Sequence, residues 1–161
     1  MSERSQYPPQ RAVVFAVATF DTKAEELAWV ALCLRNAQVE VVTVDISTAR
    51  EVDVAADVTA AQVLAASGLT LSDVQSKDRG GAVTTMSDAF RNWLLQHHAQ
   101  GRIAGVIGIG GSGGTAIITA GMCALPVGIP KRLQTARQRA QHASRSDLSG
   151  EDPQSSCHCG R

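Results

Sequence analysis

The stretch GIGGSGGT, residues 108–115, decides how the rest of the chain is read. It follows the β-branched pair Val106 and Ile107 and leads into AIITA, residues 116–120, which carries a helical pattern. A strand, a loop with five glycines and a helix together form a layout that holds anions. Glycine permits positive φ and close approach of the backbone. Successive amides from Gly110, Gly111, Ser112, Gly113 and Gly114 can then point at one phosphate beside the positive end of a helix. Thr115 ends the stretch with a hydroxyl suited to a magnesium ion.

Working outward, residues 11–19, RAVVFAVAT, form a valine-rich run of the kind covered on both faces in a parallel sheet. TFDTKAEE follows. Its Thr22 and Glu25 have capping-box spacing, and Leu27, Val30, Ala31 and Leu34 make one stripe, so a first helix is expected over about residues 22–36. A second apolar run, residues 39–44, ends at Asp45. Residues 46–57 read as a loop, 59–67 as a short alanine-rich helix stopped by Gly68, and 69–81 as irregular chain containing KDRGG. A longer helix is expected over 82–100, with Val83, Met86, Phe90, Trp93, Leu94 and His97 on one face. His97 and His98 stand near its end, where terminal carbonyls offer them partners. The third strand is 103–109, and PVGIPK, residues 126–131, reads as the start of a fourth.

Strands alternating with helical crossovers imply a doubly wound, Rossmann-like parallel α/β sheet, here incomplete on its C-terminal side. Ligands in such sheets bind outside the carboxyl ends of the strands. The loops carrying TFDTK, Asp45 and the glycines therefore open on one edge.

Composition narrows the class. With 161 residues the chain suits a single domain, and 44% hydrophobic residues supply a core. Fifteen basic against fifteen acidic residues, with no basic aromatic stripe, argue against a nucleic-acid surface. No apolar run approaches the roughly 20 residues of a membrane span, and residues 1–10, with two prolines, read as a mobile leader without a signal core. Cys33, Cys123, Cys157 and Cys159 form no disulfide framework, which fits a cytoplasmic protein. From residue 132 large apolar residues almost vanish, so 132–161 reads as a disordered or out-of-frame tail, and Cys157, His158 and Cys159 lack the spacing of a folded zinc site.

The glycine stretch fits two templates imperfectly. As G-x-G-x-x-G it matches at Gly108, Gly110 and Gly113, but on the third strand instead of the first. As G-x-x-x-x-G-K-[ST] it matches except that Gly114 stands in place of the lysine. A cradle without its own cation needs one from elsewhere. Lys23 is the first candidate, because a cation at a helix start opposes the helix dipole, and Arg79 offers a second, phosphate-clamping guanidinium. Thr19, Asp21 and Thr22 share the loop with Lys23; Asp21, with Thr115, is a candidate for magnesium, and Asp45 for a ribose hydroxyl. Each has a plainer reading. Lys23 and Arg79 would be solvated cations, Asp21 and Thr22 caps, Asp45 a strand end, and the glycines a tight turn with close helix–sheet contact. GGSGG also satisfies the hydrolase elbow G-x-S-x-G around Ser112, but no patterned acid and histidine follow it.

TFDTKAEE, DRGGAV, GIGGSGGT and ALPVGIPK occur in an order that resembles the amino-terminal domain of the family of the plant tobamovirus-resistance protein and its bacterial relatives. The resemblance covers residues 11–131 and implies an ATP-binding domain, with magnesium as an accessory ion. Ala18 departs from a glycine usual in that family. The pattern is lost after Pro130, as in a truncated or frame-shifted product, which would leave a weakly stable sheet with an unpaired, association-prone edge. Whether nucleotide is hydrolysed is left open. The alternative is a non-catalytic interaction module, homodimeric or bound to a partner protein, in which nucleotide is a structural ligand or switch.

Overall fold

The computed structural model describes residues 11–49 and 56–135. Four strands, β1 (Val13–Ala18), β2 (Val41–Asp45), β3 (Ile103–Gly110) and β4 (Lys131–Thr135), form one sheet in the order β2-β1-β3-β4. All three pairings are parallel. Helix α1 (Phe20–Asn36) lies on one face; α2 (Ala60–Ala65), α3 (Leu71–Gln75), α4 (Arg79–Ala99) and α5 (Ser112–Ala124) lie on the other. The expected doubly wound α/β sheet is therefore the fold. Expectations for residues 1–10 and 136–161, including Cys157, His158 and Cys159, fall outside the described residues.

Strand β1 shows how sequence alternation becomes two layers. Phe15 and Val17 enter the cluster with α4 and α5, while Ala16 and Ala18 meet Phe20, Leu27 and Ala31 of α1. Small residues on the second face let α1 lie close to the sheet. On the first face, glycines do the equivalent work. A Cβ on Gly108 would collide with the Ile118 side chain, and one on Gly121 would come within 2.6 Å of the Phe90 ring. These two positions seat α5 against both β3 and α4.

Helix α1 begins two residues earlier than the Thr22–Glu25 spacing suggested. Its N-cap is Thr19, without a side-chain cap, and Thr22 bonds Thr19 and Asp21. The capping acceptors come from the end of β2. The Phe20 amide donates to Asp45 Oδ1 at 3.1 Å and to Ser47 Oγ at 2.9 Å, and the Asp21 amide to Ser47 Oγ at 3.3 Å. Asp45 Oδ1 is fixed in turn by the amide and hydroxyl of Ser47, 2.8 and 2.6 Å away. A cap 25 residues distant replaces the local one because β1 and β2 pair in register up to Ala18–Asp45.

Residues 69–81 are more regular than expected. Asp73 accepts from the Thr70 amide and hydroxyl to start α3, and Asp78 Oδ1 accepts from the Gly81 amide to start α4 three residues before the predicted point. A Cβ on Gly81 would sit 2.8 Å from that carboxylate oxygen, so glycine suits the cap despite its low helix propensity. The fourth strand also shifts. Residues 126–130 turn through Gly128 at φ 111°, and β4 runs through Arg132 to Thr135, into the segment that composition marked as tail.

His97 packs edge-on to Phe15 and over Trp93, with Nδ1 2.9 Å from the Trp93 carbonyl. Burial lowers its pKa from the ordinary 6.5; the Trp93 carbonyl opposes the shift and Arg102 adds slightly to it. The unfolded chain then binds the extra proton first as pH falls, so stability is lost from about pH 6.5 downward. Three outcomes follow. His97→Leu flattens the fall in melting temperature between about pH 7 and 5. Gly108→Ala costs about 1–3 kcal/mol in denaturant unfolding, whereas Gly111→Ala, with open space around it, changes stability by less than about 0.5 kcal/mol. Asp45→Ala lowers stability by about 1–3 kcal/mol through the lost cap; unchanged unfolding with weaker ligand binding would instead make Asp45 a ligand residue.

Candidate functional site

The carboxyl ends of β1 and β3 and the chain after β2 open on one cleft of about 440 Å³. Thr19, Asp21, Thr22 and Lys23 form one wall, from the N-terminal turn of α1. Gly111, Ser112, Gly113 and Gly114 form the facing wall, at the start of α5, and Arg79 closes a third side from the first residue of α4. Nine of the residues singled out by sequence are therefore brought together. Thr48, Ala49, Val83 and Ile117 also line the cleft and were not anticipated. Val83 and Ile117 had a signal, since both lie in apolar helical stripes; Thr48 and Ala49 had none.

Gly110, Thr115 and Asp45 lie outside this lining. Gly110 is buried at the turn, where a Cβ would meet Thr115 Oγ1 at 2.5 Å and the Thr115 amide at 2.6 Å. That contact sets the Thr115 hydroxyl against Gly110, behind the loop. Asp45 is buried beneath the start of α1 with its Oδ1 engaged by Phe20 and Ser47. Its position is that of a helix anchor.

The loop glycines divide by role. Among the described residues, positive φ occurs at Gly68, Gly101, Gly128 and Gln38, none of them in the loop. Handedness is thus not what residues 108–114 require; close approach is. Gly108 and Gly110 are forced by their neighbours, and a Cβ on Gly114 would press the Thr19 methyl at 3.3 Å. Gly111 faces open space, and Gly113 has only Val83 in ordinary contact. Those two leave the cleft side of the loop bare.

Capping separates α5 from the other helices. Helix α1 draws acceptors from Asp45 and Ser47, α2 from Thr59 with Gln62, α3 pairs Thr70 with Asp73, and α4 uses Asp78. The N-cap of α5 is Gly111, which has no side chain to offer, and no described acceptor meets the amides of Ser112, Gly113 and Gly114. Orphan amides at a helix start need water or a ligand, and the helix dipole favours an anion there.

Two cations border these amides. Lys23 lines the cleft, and its ammonium bonds Glu26 Oε1 at 2.7 Å with both side chains about one-quarter exposed. Lys23 also interrupts α1, at φ −133° and ψ 15°, so the first turn is set at an angle to the helix body. Arg79 stands exposed at the opposite rim. Asp21, exposed in the first turn of α1, is the one carboxylate among the cleft's lining residues. No group of three or more His, Cys, Asp or Glu side chains arranged for a metal occurs among the described residues. No helix among them is long and apolar enough to cross a membrane.

A family model described as the N-terminal domain of an uncharacterised protein family, UPF0261, matches residues 12–140. A UPF0261 protein of Rhizobium meliloti is 43% identical over 121 residues, covering 73% of this chain and 29% of the relative. One from Mesorhizobium japonicum is 37% identical over 137 residues, covering 84% and 34%. The tomato ToMV resistance protein Tm-1(GCR237) is 35% identical over 138 residues, covering 73% and 18%. The chain thus spans about a third or less of the length of these relatives, and it belongs to the UPF0261 family, in the region of that family's N-terminal domain.

Proposed function

We propose that the cleft binds the phosphates of a nucleotide, ATP first among them. The observation that carries this reading is the bare start of α5, the one described helix left without a cap, opening between Lys23 and Arg79. Backbone amides grip phosphate oxygens at close range where no side chain intervenes, and the positive end of α5 adds to the attraction. Arg79 suits a forked contact to a terminal phosphate. Lys23 supplies the charge that Gly114 does not, and its ammonium exchanges Glu26 for phosphate when ligand enters. Apolar Val83 and Ile117 line the same space and suit a base or ribose edge.

Asp21 fits magnesium in the manner usual for nucleotide sites, one carboxylate joined by phosphate oxygens and water. The ion would neutralise phosphate charge there. Thr115, turned against Gly110, does not fit the same ion. Asp45 is accounted for as the anchor of α1, so a ribose needs other partners.

Calorimetric titration with ATP, with and without magnesium, tests the reading. Wild type binds, and Lys23→Ala and Arg79→Ala each weaken binding by roughly 10–100-fold, as expected for the loss of a charge-assisted hydrogen bond worth about 1.5–3 kcal/mol. Gly113→Val fills the cleft beside Val83 and abolishes binding with the melting temperature little changed. Asp21→Asn reduces only the magnesium-dependent part. Equal affinity in all variants would remove the site, and steady phosphate release would make the protein an enzyme instead of a nucleotide-binding module.

A further inference from the structure

The two edges of the sheet are treated differently. Along β2, Asp57 accepts from the Thr43 amide and hydroxyl, both at 2.8 Å, and Val58 exchanges backbone bonds with Thr43 and Asp45. Arg35 holds Asp57 in place at 3.3 Å. A side chain and a bridge thus occupy the groups that a foreign strand would use. No described residue does the same for β4, whose pairing is to β3 alone. An edge of this kind is a template for another strand.

The register identifies which groups are free. The Val106 amide bonds the Pro130 carbonyl at 2.9 Å, so in a parallel ladder the backbone groups of Arg132 and Gln134 face β3. Those of Lys131, Leu133 and Thr135 face outward. Set antiparallel to itself about Leu133, this edge is self-complementary. Leu133 meets Leu133 of the partner subunit as a hydrogen-bonded pair, and Lys131 meets Thr135 of the partner subunit in both directions. On the other face Arg132 lies opposite Gln134 of the partner subunit. No like charges stand directly opposite, which is the arrangement that stabilises cross-strand pairs. The two Arg132 side chains fall diagonally, exposed on both copies, where water and salt screen them.

We propose that β4 is a homodimer edge, joining two copies through antiparallel β4 strands centred on Leu133 into one eight-stranded sheet. The occupant is a second copy because the outward-facing residues match themselves in charge and backbone phase, a demand that an unrelated strand has no reason to meet. Pairing this edge also removes the exposure that otherwise invites aggregation.

Sedimentation velocity of the full chain over a wide concentration range tests the proposal, read together with two opposite substitutions at one position. Wild type shifts from monomer to dimer as concentration rises. Thr135→Glu sets a carboxylate opposite Lys131 of the partner subunit and tightens the dimer several-fold. Thr135→Lys sets a second cation there and loosens it several-fold. Thr135→Pro removes an outward amide while leaving the β3 ladder intact, and it gives a monomer with unchanged circular dichroism. A monomer at every concentration, as when another segment of the chain covers the edge, overturns the proposal. So does a dimer of equal strength in the Glu and Lys variants.

Discussion

The close seating of α5 against β3 and α4 is the constraint on which the cleft depends. Gly108 and Gly121 allow it, because a methyl group at either would meet Ile118 or Phe90 within contact distance. Once α5 is seated, its first turn stands beside Thr19 and the start of α1, and Arg79 reaches the same space from α4. Overpacked cores shift whole elements by fractions of an ångström and more. A displacement of α5 would therefore be felt at the orphan amides, although neither glycine touches the cleft.

Much of this was legible in sequence because it is local or periodic. The valine runs, the glycine loop after the third apolar run and the convergence of TFDTK with GGSGG all follow from alternation and from the sidedness of right-handed crossovers. What escaped is non-local. The cap of α1 reaches from Ser47 and Asp45 to Phe20, and a Thr-x-x-Glu spacing nearer by masked it. Two further signals were present and went unread: Thr70 with Asp73, and Asp78 with Gly81, each spaced for a helix start. Strand β4 was placed too early because two prolines and a glycine interrupt an apolar stretch, and the pairing residues that follow are polar.

The glycines illustrate a broader limit. A run of them predicts freedom of the backbone, yet none in the loop uses positive φ. Their meaning is spatial, and it differs at each position: helix contact at Gly108, turn closure at Gly110, bare surface at Gly111 and Gly113. Only the neighbours in space distinguish these roles, since the residue type is the same throughout.

Gly114 carries a consequence for how such a loop can change over generations. Its hydrogen faces the methyl of Thr19 at a distance that leaves little room for a side chain, and Thr19 is itself tied to Thr22 through hydroxyl and carbonyl. A descendant acquiring lysine at 114, as the other phosphate-loop template has, would therefore gain a charge and strain a neighbour in the same step. Replacing Thr19 first would loosen the turn that presents Lys23. The lysine-in-loop and lysine-in-helix arrangements are thus separated by a valley in which each single substitution is worse than either end, and a lineage that began with one would tend to keep it.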